Sequence, residues 1–191
     1  RMRPPAGSIH QALEDGSADL VMGMPVEGSG LKQRVVFEES FVVILRPGHP
    51  ALAEGDASIP LSRYVELGHV MVSANDEPGV VDRELEACGL SRRVVLRTPY
   101  FVGVPFIVAR SELVATIPRA LAEEAATLVP LRILPPPLPL RSFRVMMTWH
   151  ERSHRDSAHE WLRELARRTT VEALAERRAH ATPGTDAPEE S

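Results

Sequence analysis

Two histidines and a glutamate near the carboxyl end of the chain form a pattern that is typical of metal chemistry. His150, Glu151 and His154 fit H-E-x-x-H, in which the histidines bind zinc and the glutamate acts as a general base. That chemistry needs both histidines on one face of a helix. Here the pattern directly follows a predicted strand over residues 143–149, and the best helix cap, Asp156, comes after it. We therefore expect a polar turn at these residues and keep a zinc-dependent hydrolase as the alternative.

A turn between a predicted strand and a predicted helix offers a different kind of site. The strand over residues 93–97 is followed by a hydroxyl and an aromatic side chain, and the helix is predicted over residues 102–110. A helix start presents unpaired N–H groups and the positive end of the helix dipole, which suit an anion. Together these groups predict a site for a small aromatic carboxylate.

The candidate effector-binding residues are Ser73, Thr98, Pro99, Phe101 and Val102. Ser73 ends another predicted strand and supplies a second hydroxyl. The carboxylate is expected to approach Thr98 or the amides that follow Phe101, while the ring lies against Phe101. The ordinary alternative is a strand-to-helix turn without a ligand.

Composition limits the functions that this chain can have. The chain has 191 residues, of which 43% are hydrophobic and 25% are charged, which is typical of a folded globular protein. Its formal net charge of -4 makes unaided binding to a nucleic-acid backbone a poor hypothesis. Its single cysteine excludes an internal disulfide, and no stretch is long and apolar enough to suggest a membrane span.

Short apolar runs alternate with segments of helical spacing along the chain. The predicted strands cover residues 18–23, 35–37, 41–45, 70–73, 93–97, 113–117, 131–134 and 143–149. The predicted helices follow Ser8 and cover residues 61–67, 80–88, 102–110, 119–126 and the segment after Asp156. Ser8 and Gln11 have the capping-box spacing, and Gly16 ends the first helix. This alternation predicts an α/β fold with largely parallel strands in two sheets.

Several of these segments, in this order, resemble the effector-binding domain of LysR-type transcriptional regulators. The segments are ADLVMG at 18–23, FVVIL-RPGHP at 41–50, HVMVS at 69–73, LVATIP at 113–118 and WHER at 149–152 with the following D-x-x-H-x-W-L-R. The stretch at 97–101 and the last segment are most similar to the branch that senses flavonoids, salicylates and nitroaromatics. In that branch the WHER segment is a structural junction between strand and helix, which counts against zinc.

The resemblance implies two Rossmann-like lobes of the type 2 periplasmic-binding-protein fold, with a small effector in the cleft between them. Lobe one is expected at residues 8–42 with 147–168, lobe two at 43–146, and a disordered tail at 179–191. The strands at 41–45 and 143–147 are expected to cross between the lobes. Compared with the family, the first strand and helix of lobe one are missing, as is the winged helix-turn-helix domain that binds DNA.

These observations predict a ligand-sensing regulatory domain without catalytic activity, cofactor or metal. The expected partners are a small-molecule effector and further copies of the chain, because a sheet without its first strand exposes an edge. DNA is expected to be bound only through the absent helix-turn-helix domain, and no membrane is expected as a partner. A cytoplasmic location is expected, and a free-standing solute-binding protein remains a further alternative.

Overall fold

The computed structural model describes residues 8–53, 55–73 and 77–181 of the chain. The chain divides into two compact units, which we call unit one (residues 1–38 with 143–191) and unit two (residues 39–142). These divisions fall four residues before those that the sequence analysis placed at 42/43 and 146/147. None of the helices in the described ranges has the length and apolar character that a membrane crossing requires.

Strands and helices alternate along the described chain. The strands are β1 (Val21–Gly23), β2 (Leu31–Glu39), β3 (Phe41–Leu45), β4 (Gly68–Val72), β5 (Arg93–Thr98), β6 (Leu113–Pro118), β7 (Arg132–Leu134) and β8 (Phe143–His150). The helices are α1 (Ile9–Glu14), α2 (Leu61–Glu66), α3 (Val80–Ala87), α4 (Val104–Val108), α5 (Arg119–Ala126) and α6 (Ser157–Ala181), with a short 3-10 helix at Glu151–Ser153.

Unit two is built on a five-stranded sheet in the order β5-β4-β6-β3-β7. Strand β4 pairs in parallel with both β5 and β6, whereas β3 pairs antiparallel with β6 and with β7. The expectation of largely parallel strands is therefore wrong for β3, and it is also wrong in unit one, where β1 pairs antiparallel with β8. The carboxyl ends of β5, β4, β6 and β7 consequently lie along one edge of the sheet.

Two apolar clusters cover the sheet of unit two. The first joins β3 side chains such as Val43 to the helices α2 and α3 through Tyr64 and Leu85. The second joins Ile44 and Ile117 to the helices α4 and α5. Adjacent β3 residues point to opposite faces of the sheet, so the continuous run FVVIL is apolar because both faces are covered.

A buried polar group lies within the core of unit two. The His69 side chain is fully buried, and its Nε2 lies 2.8 Å from the Tyr64 carbonyl oxygen. A carbonyl oxygen only accepts, so Nε2 carries the hydrogen and the ring is neutral when Nδ1 has none. Burial lowers the pKa of His69 to about 4, although the Tyr64 hydrogen bond opposes this shift.

Unit one contains a three-stranded sheet in the order β1-β8-β2. Leu13 of α1 and Met147 of β8 are fully buried in this unit. The capping prediction for α1 is confirmed, because the Gln11 N–H donates to the Ser8 hydroxyl oxygen at 3.1 Å and Gly16 has a φ of 80°.

The chain passes between the units beside the predicted crossing strands rather than along them. Strand β3 pairs only within the five-stranded sheet, and β8 pairs only within the three-stranded sheet. The first passage falls between Glu38 and Glu39, near the end of β2, and the second falls between Ser142 and Phe143, where β8 begins. Helix α6 continues to Ala181, beyond the expected end of lobe one at 168, and residues 182–191 of the expected tail lie outside the described residues.

Candidate functional site

The predicted turn after β5 and the residue after β4 lie together at one edge of the unit-two sheet. Val72 pairs with Thr98 in the parallel ladder of β4 and β5, and the Ser73 N–H donates to the Thr98 carbonyl oxygen at 2.9 Å. The structure thus brings together two candidate residues that are 25 positions apart in the sequence. In open α/β sheets, ligands bind outside the carboxyl ends of the strands, which is where this pair lies.

The Thr98 hydroxyl holds the turn in shape and still has a proton to offer. Its oxygen accepts the Tyr100 N–H at 3.3 Å, which closes a local turn across Pro99. Its proton faces the Tyr100 carbonyl oxygen at 3.5 Å, a distance too long for a good hydrogen bond. A ligand oxygen at normal distance would be a better acceptor, so Thr98 can act as a donor to a ligand.

The helix start expected at Val102 is wrong by two residues. Helix α4 begins at Val104 after Gly103, and it ends at Val108, two residues before the predicted end. Pro105 lies in its first turn, where the missing N–H costs nothing, and Ala109 is the C-cap residue of the helix. Val102 therefore lies in the turn with 72% of its surface exposed, and the five-residue helix offers a weaker dipole than the prediction assumed.

Apolar side chains are exposed around this turn. Phe101 is 38% exposed and Phe106 of α4 is 39% exposed, while Tyr100 and Val102 are exposed more fully. Apolar groups that cluster on a surface commonly mark a site of interaction. Sequence reasoning selected Phe101 and Val102 as site residues but did not select Tyr100 or Phe106. The exposure of Phe106 could have been inferred, because Pro105 and Val108 occupy the buried face of the same short helix.

A polar group at the same sheet edge was also missed. Arg119, the first residue of α5, donates from Nε to the Ser40 hydroxyl oxygen at 3.3 Å and lies 3.6 Å from a Glu123 oxygen. The buried Glu39 carboxylate accepts the N–H groups of Ser40 at 2.8 Å and Ala120 at 3.3 Å. These contacts join residues about 80 positions apart, and the sequence could have indicated Arg119 only through its position at the start of a predicted helix, two residues after a predicted strand.

The zinc pattern lies in unit one and does not form the helix that its chemistry requires. His150 ends β8, and its Nδ1 accepts the Arg152 N–H at 3.2 Å. The His154 ring stacks on Trp149 at a centroid distance of 6.0 Å, and Glu151 lies 3.9 Å from the Lys32 ammonium. The part of the chain that the structure describes holds no group of three His, Cys, Asp or Glu side chains able to bind a metal ion.

A third histidine near this segment has a structural role. The His159 Nε2 lies 2.9 Å from the Asp19 carbonyl oxygen, and its Nδ1 lies 2.7 Å from an Arg163 nitrogen. A guanidinium only donates, so Nδ1 accepts and Nε2 carries the hydrogen. Arg163 also lies over the Trp149 ring at 4.7 Å and donates to the carbonyl oxygens of Ser153 and His154. These contacts explain the WHER segment as a junction between strand and helix.

A cavity of about 360 Å³ lies at the opposite edge of the unit-two sheet. Its lining includes the first residues of β4, β5 and β6, which are Gly68, Arg93 and Leu113, and the buried His49. His49 is held on both sides, because Nδ1 accepts the Ala51 N–H at 3.1 Å and Nε2 lies 3.0 Å from the Glu112 carbonyl oxygen. None of the candidate effector residues lines this cavity.

Two α/β units, each with its own sheet, and a polar edge at the strand ends are the features of the type 2 periplasmic-binding-protein fold. The sequence profile of the LysR substrate binding domain matches residues 5–170, so the chain belongs to that family.

Individual relatives agree with this assignment. The chain is 34% identical to the HTH-type transcriptional activator NahR of Pseudomonas putida over 86% of this chain and 54% of that protein. It is 31% identical to the regulator SyrM of Rhizobium meliloti over 84% of this chain and 49% of that protein. The crystal structure of the regulatory domain of MexT from Pseudomonas aeruginosa is similar with a TM-score of 0.71 and 27% identity, over 83% of this chain and 76% of that chain. The chain spans about half the length of the curated relatives it matches.

Proposed function

We propose that this chain is the ligand-sensing domain of a transcriptional regulator and that it binds a small aromatic carboxylate at the carboxyl ends of β4 and β5. The observation that carries the proposal is the Thr98 hydroxyl at the end of β5, whose contact with the Tyr100 carbonyl oxygen is long at 3.5 Å, three residues before the partly exposed Phe101. Similarity to NahR and SyrM supports a regulatory role.

The remaining features follow from that role. The domain acts by binding rather than by catalysis, and it uses no cofactor. Its DNA contacts belong to a helix-turn-helix domain outside this chain, and copies of the domain associate in the cytoplasm. A free-standing solute-binding protein would use the same strand ends, but the matched relatives are described as regulators of transcription, which favours the regulatory role.

The ligand is expected to use two contacts in unit two. Its ring packs against Phe101, which buries apolar area worth about 1–3 kcal/mol. A polar oxygen of the ligand accepts the Thr98 proton, and Ser73 lies one backbone hydrogen bond away. The ring contact selects aromatic compounds and the hydroxyl contact selects those with an acceptor.

Titration calorimetry with salicylate tests the proposal. Phe101→Ala should weaken binding roughly ten- to hundredfold, because about 1.4 kcal/mol corresponds to each factor of ten. Thr98→Val keeps the shape of the side chain but removes the hydroxyl, and it should cost about 1 kcal/mol. Cyclohexanecarboxylate, which has the same charge but no aromatic ring, should bind more weakly than salicylate.

Leu90→Ala provides the matched control, because Leu90 is exposed to the same extent as Phe101 but precedes β5, at the opposite edge of the sheet. It should change the affinity by less than about a factor of three. An absence of saturable binding by salicylate would contradict the proposal. Unchanged affinity in both Phe101→Ala and Thr98→Val would place the ligand elsewhere.

A further inference from the structure

We propose that Arg119 binds the carboxylate of the effector and so gives the site its preference for anionic ligands. The inference rests on the proposed function, because it assigns a charged partner at the same sheet edge. It changes one expectation of the sequence analysis: the carboxylate is assigned to Arg119, and Thr98 is left to bind another oxygen of the ligand.

The topology of unit two places Arg119 within reach of such a ligand. Strand β4 lies between β5 and β6, so the ends of β5 and β6 are two strand spacings apart. Neighbouring strands are about 4.8 Å apart, so Thr98 and the end of β6 are separated by about 10 Å across the edge. Arg119 follows Pro118, the last residue of β6, and its side chain contacts Ser40, which precedes β3, and Glu123 one turn along α5. The guanidinium can meet the carboxylate of an aromatic acid whose ring packs on Phe101 by leaving Ser40 and turning toward β4.

Among the described residues, the guanidinium is held only by two long protein contacts and is not saturated by them. The Arg119 main-chain N–H donates to the Ser40 carbonyl oxygen at 2.8 Å, which fixes the start of α5. The side chain uses Nε for Ser40 and Nη1 for Glu123, and it is 48% exposed. A guanidinium has five N–H donors in a planar fork that matches a carboxylate. Within the described ranges Nη2 makes no hydrogen bond, which leaves donors for a ligand.

The neighbouring acidic side chains determine how strongly the ligand is held. Both oxygens of the buried Glu39 carboxylate already accept hydrogen bonds from the N–H groups of Ser40 and Ala120. The negative charge of Glu39 therefore offsets the positive end of the α5 dipole and does not neutralise the Arg119 guanidinium. Glu123 pairs with Arg119 only at 3.6 Å, beyond the usual hydrogen-bond distance. An effector carboxylate therefore competes with Glu123 for the guanidinium.

The test compares an anionic and a neutral ligand of the same shape by titration calorimetry of the 191-residue chain. Salicylate carries the carboxylate, and salicylamide replaces it with an uncharged amide. Arg119→Gln should weaken salicylate binding about tenfold or more, because it removes charge-assisted hydrogen bonds. It should change salicylamide binding by less than about twofold. Arg119→Lys keeps the charge without the fork and should give an intermediate loss.

Glu123→Gln should have the opposite effect and tighten salicylate binding by about two- to fivefold, because the competing carboxylate is removed. This opposite sign distinguishes an electrostatic role from damage to the fold. Arg93→Gln is the matched control, since it removes an exposed arginine at the opposite edge of the same sheet and should leave both affinities unchanged. Thermal unfolding of each variant checks that α5 is intact.

The outcomes separate this inference from the proposed function. If Arg119→Gln lowers the affinities for salicylate and salicylamide equally, or lowers neither, the role of Arg119 is overturned. The proposed function would still be upheld in that case by the binding of salicylate to the unmodified chain. Failure of salicylate to bind the unmodified chain would overturn both. A tenfold loss that is confined to salicylate, with a gain in Glu123→Gln, is the result that supports the inference.

Discussion

The two units differ in how completely each covers its own sheet. Unit two has five strands with a buried apolar cluster on each face, and β3 side chains such as Val43 and Ile44 are fully buried. Unit one has three strands in its sheet and exposes apolar side chains on β1, β2 and α6, among them Met22, Val35 and Trp161. The comparison indicates that the sheet of unit two, covered by apolar clusters on both faces, can support the candidate site, whereas the sheet of unit one leaves apolar strand residues exposed.

The largest difference in the free energy of unfolding should appear when one apolar strand side chain is truncated in each unit. Ile44→Ala removes a fully buried side chain in unit two and should lower the free energy of unfolding by about 2–5 kcal/mol. Val35→Ala removes a side chain that is partly exposed in unit one, and it should cost less than about 0.5 kcal/mol. Urea unfolding followed by circular dichroism measures both values, and equal costs would contradict the difference between the units.

A second prediction concerns the pH dependence of unit two. The pKa of His69 is lowered to about 4 in the folded chain, whereas an unfolded histidine titrates near its usual value of 6.5. Below pH 6.5 the unfolded chain takes up a proton that the folded chain does not bind. The free energy of unfolding should therefore fall as the pH falls from about 6.5 to 4, by about 3 kcal/mol in total.

His69→Gln removes this titration and keeps a donor for the Tyr64 carbonyl oxygen, so its stability should vary much less over the same range. Asp82 gives a separate signal at lower pH. Burial alone would raise the pKa of its carboxyl, but Arg92 at 2.7 Å and the Gly79 N–H hold that pKa below the usual value. The contribution of the Asp82 carboxylate to the free energy of unfolding should be lost only as the pH falls below about 3.8. A wild-type profile identical to that of His69→Gln would rule out the role of His69.

A smaller effect is expected from the exposed surface of unit one. Strand β1 lies at the edge of its sheet, and Met22 on this strand is partly exposed. Open strand edges with apolar side chains favour association, and a lysine on an edge opposes it. Sedimentation velocity should therefore show the chain as an oligomer at micromolar concentration, and Met22→Lys should shift it toward monomer. A wild-type chain that sediments as a monomer throughout would contradict this prediction.

Local signals in the sequence predicted much of the fold. The capping residue Ser8 and the terminating Gly16 act within a few positions, and both are confirmed. Helix α5 was predicted over residues 119–126, which are its bounds in the structure. The start of α4 was missed because Gly103 and Pro105 set it together, and apolar spacing alone extended the helix to Val102. The first passage between the units, between Glu38 and Glu39, was also missed, since no local signal distinguishes a strand that ends beside a sheet from one that crosses between sheets.

The candidate site was predicted only where its residues are close in sequence or share a strand end. The turn from Thr98 to Phe101 follows directly from the end of β5, and the proximity of Ser73 follows from adjacent parallel strands. The contacts of Arg119 with Ser40 and of Ala120 with Glu39 depend on how β3 pairs with β6. That pairing joins segments about 80 positions apart, and a single sequence carries no signal for it.

The most direct test of the central claim is to locate salicylate on the chain by NMR. Amide chemical shifts are recorded during a salicylate titration of the ¹⁵N-labelled protein. The account predicts the largest changes at Ser73, at Thr98, at residues 100–103 and at Arg119, along the edge where β4, β5 and β6 end. Changes confined to the opposite edge, around His49, Gly68 and Leu113 in the cavity of about 360 Å³, would contradict it.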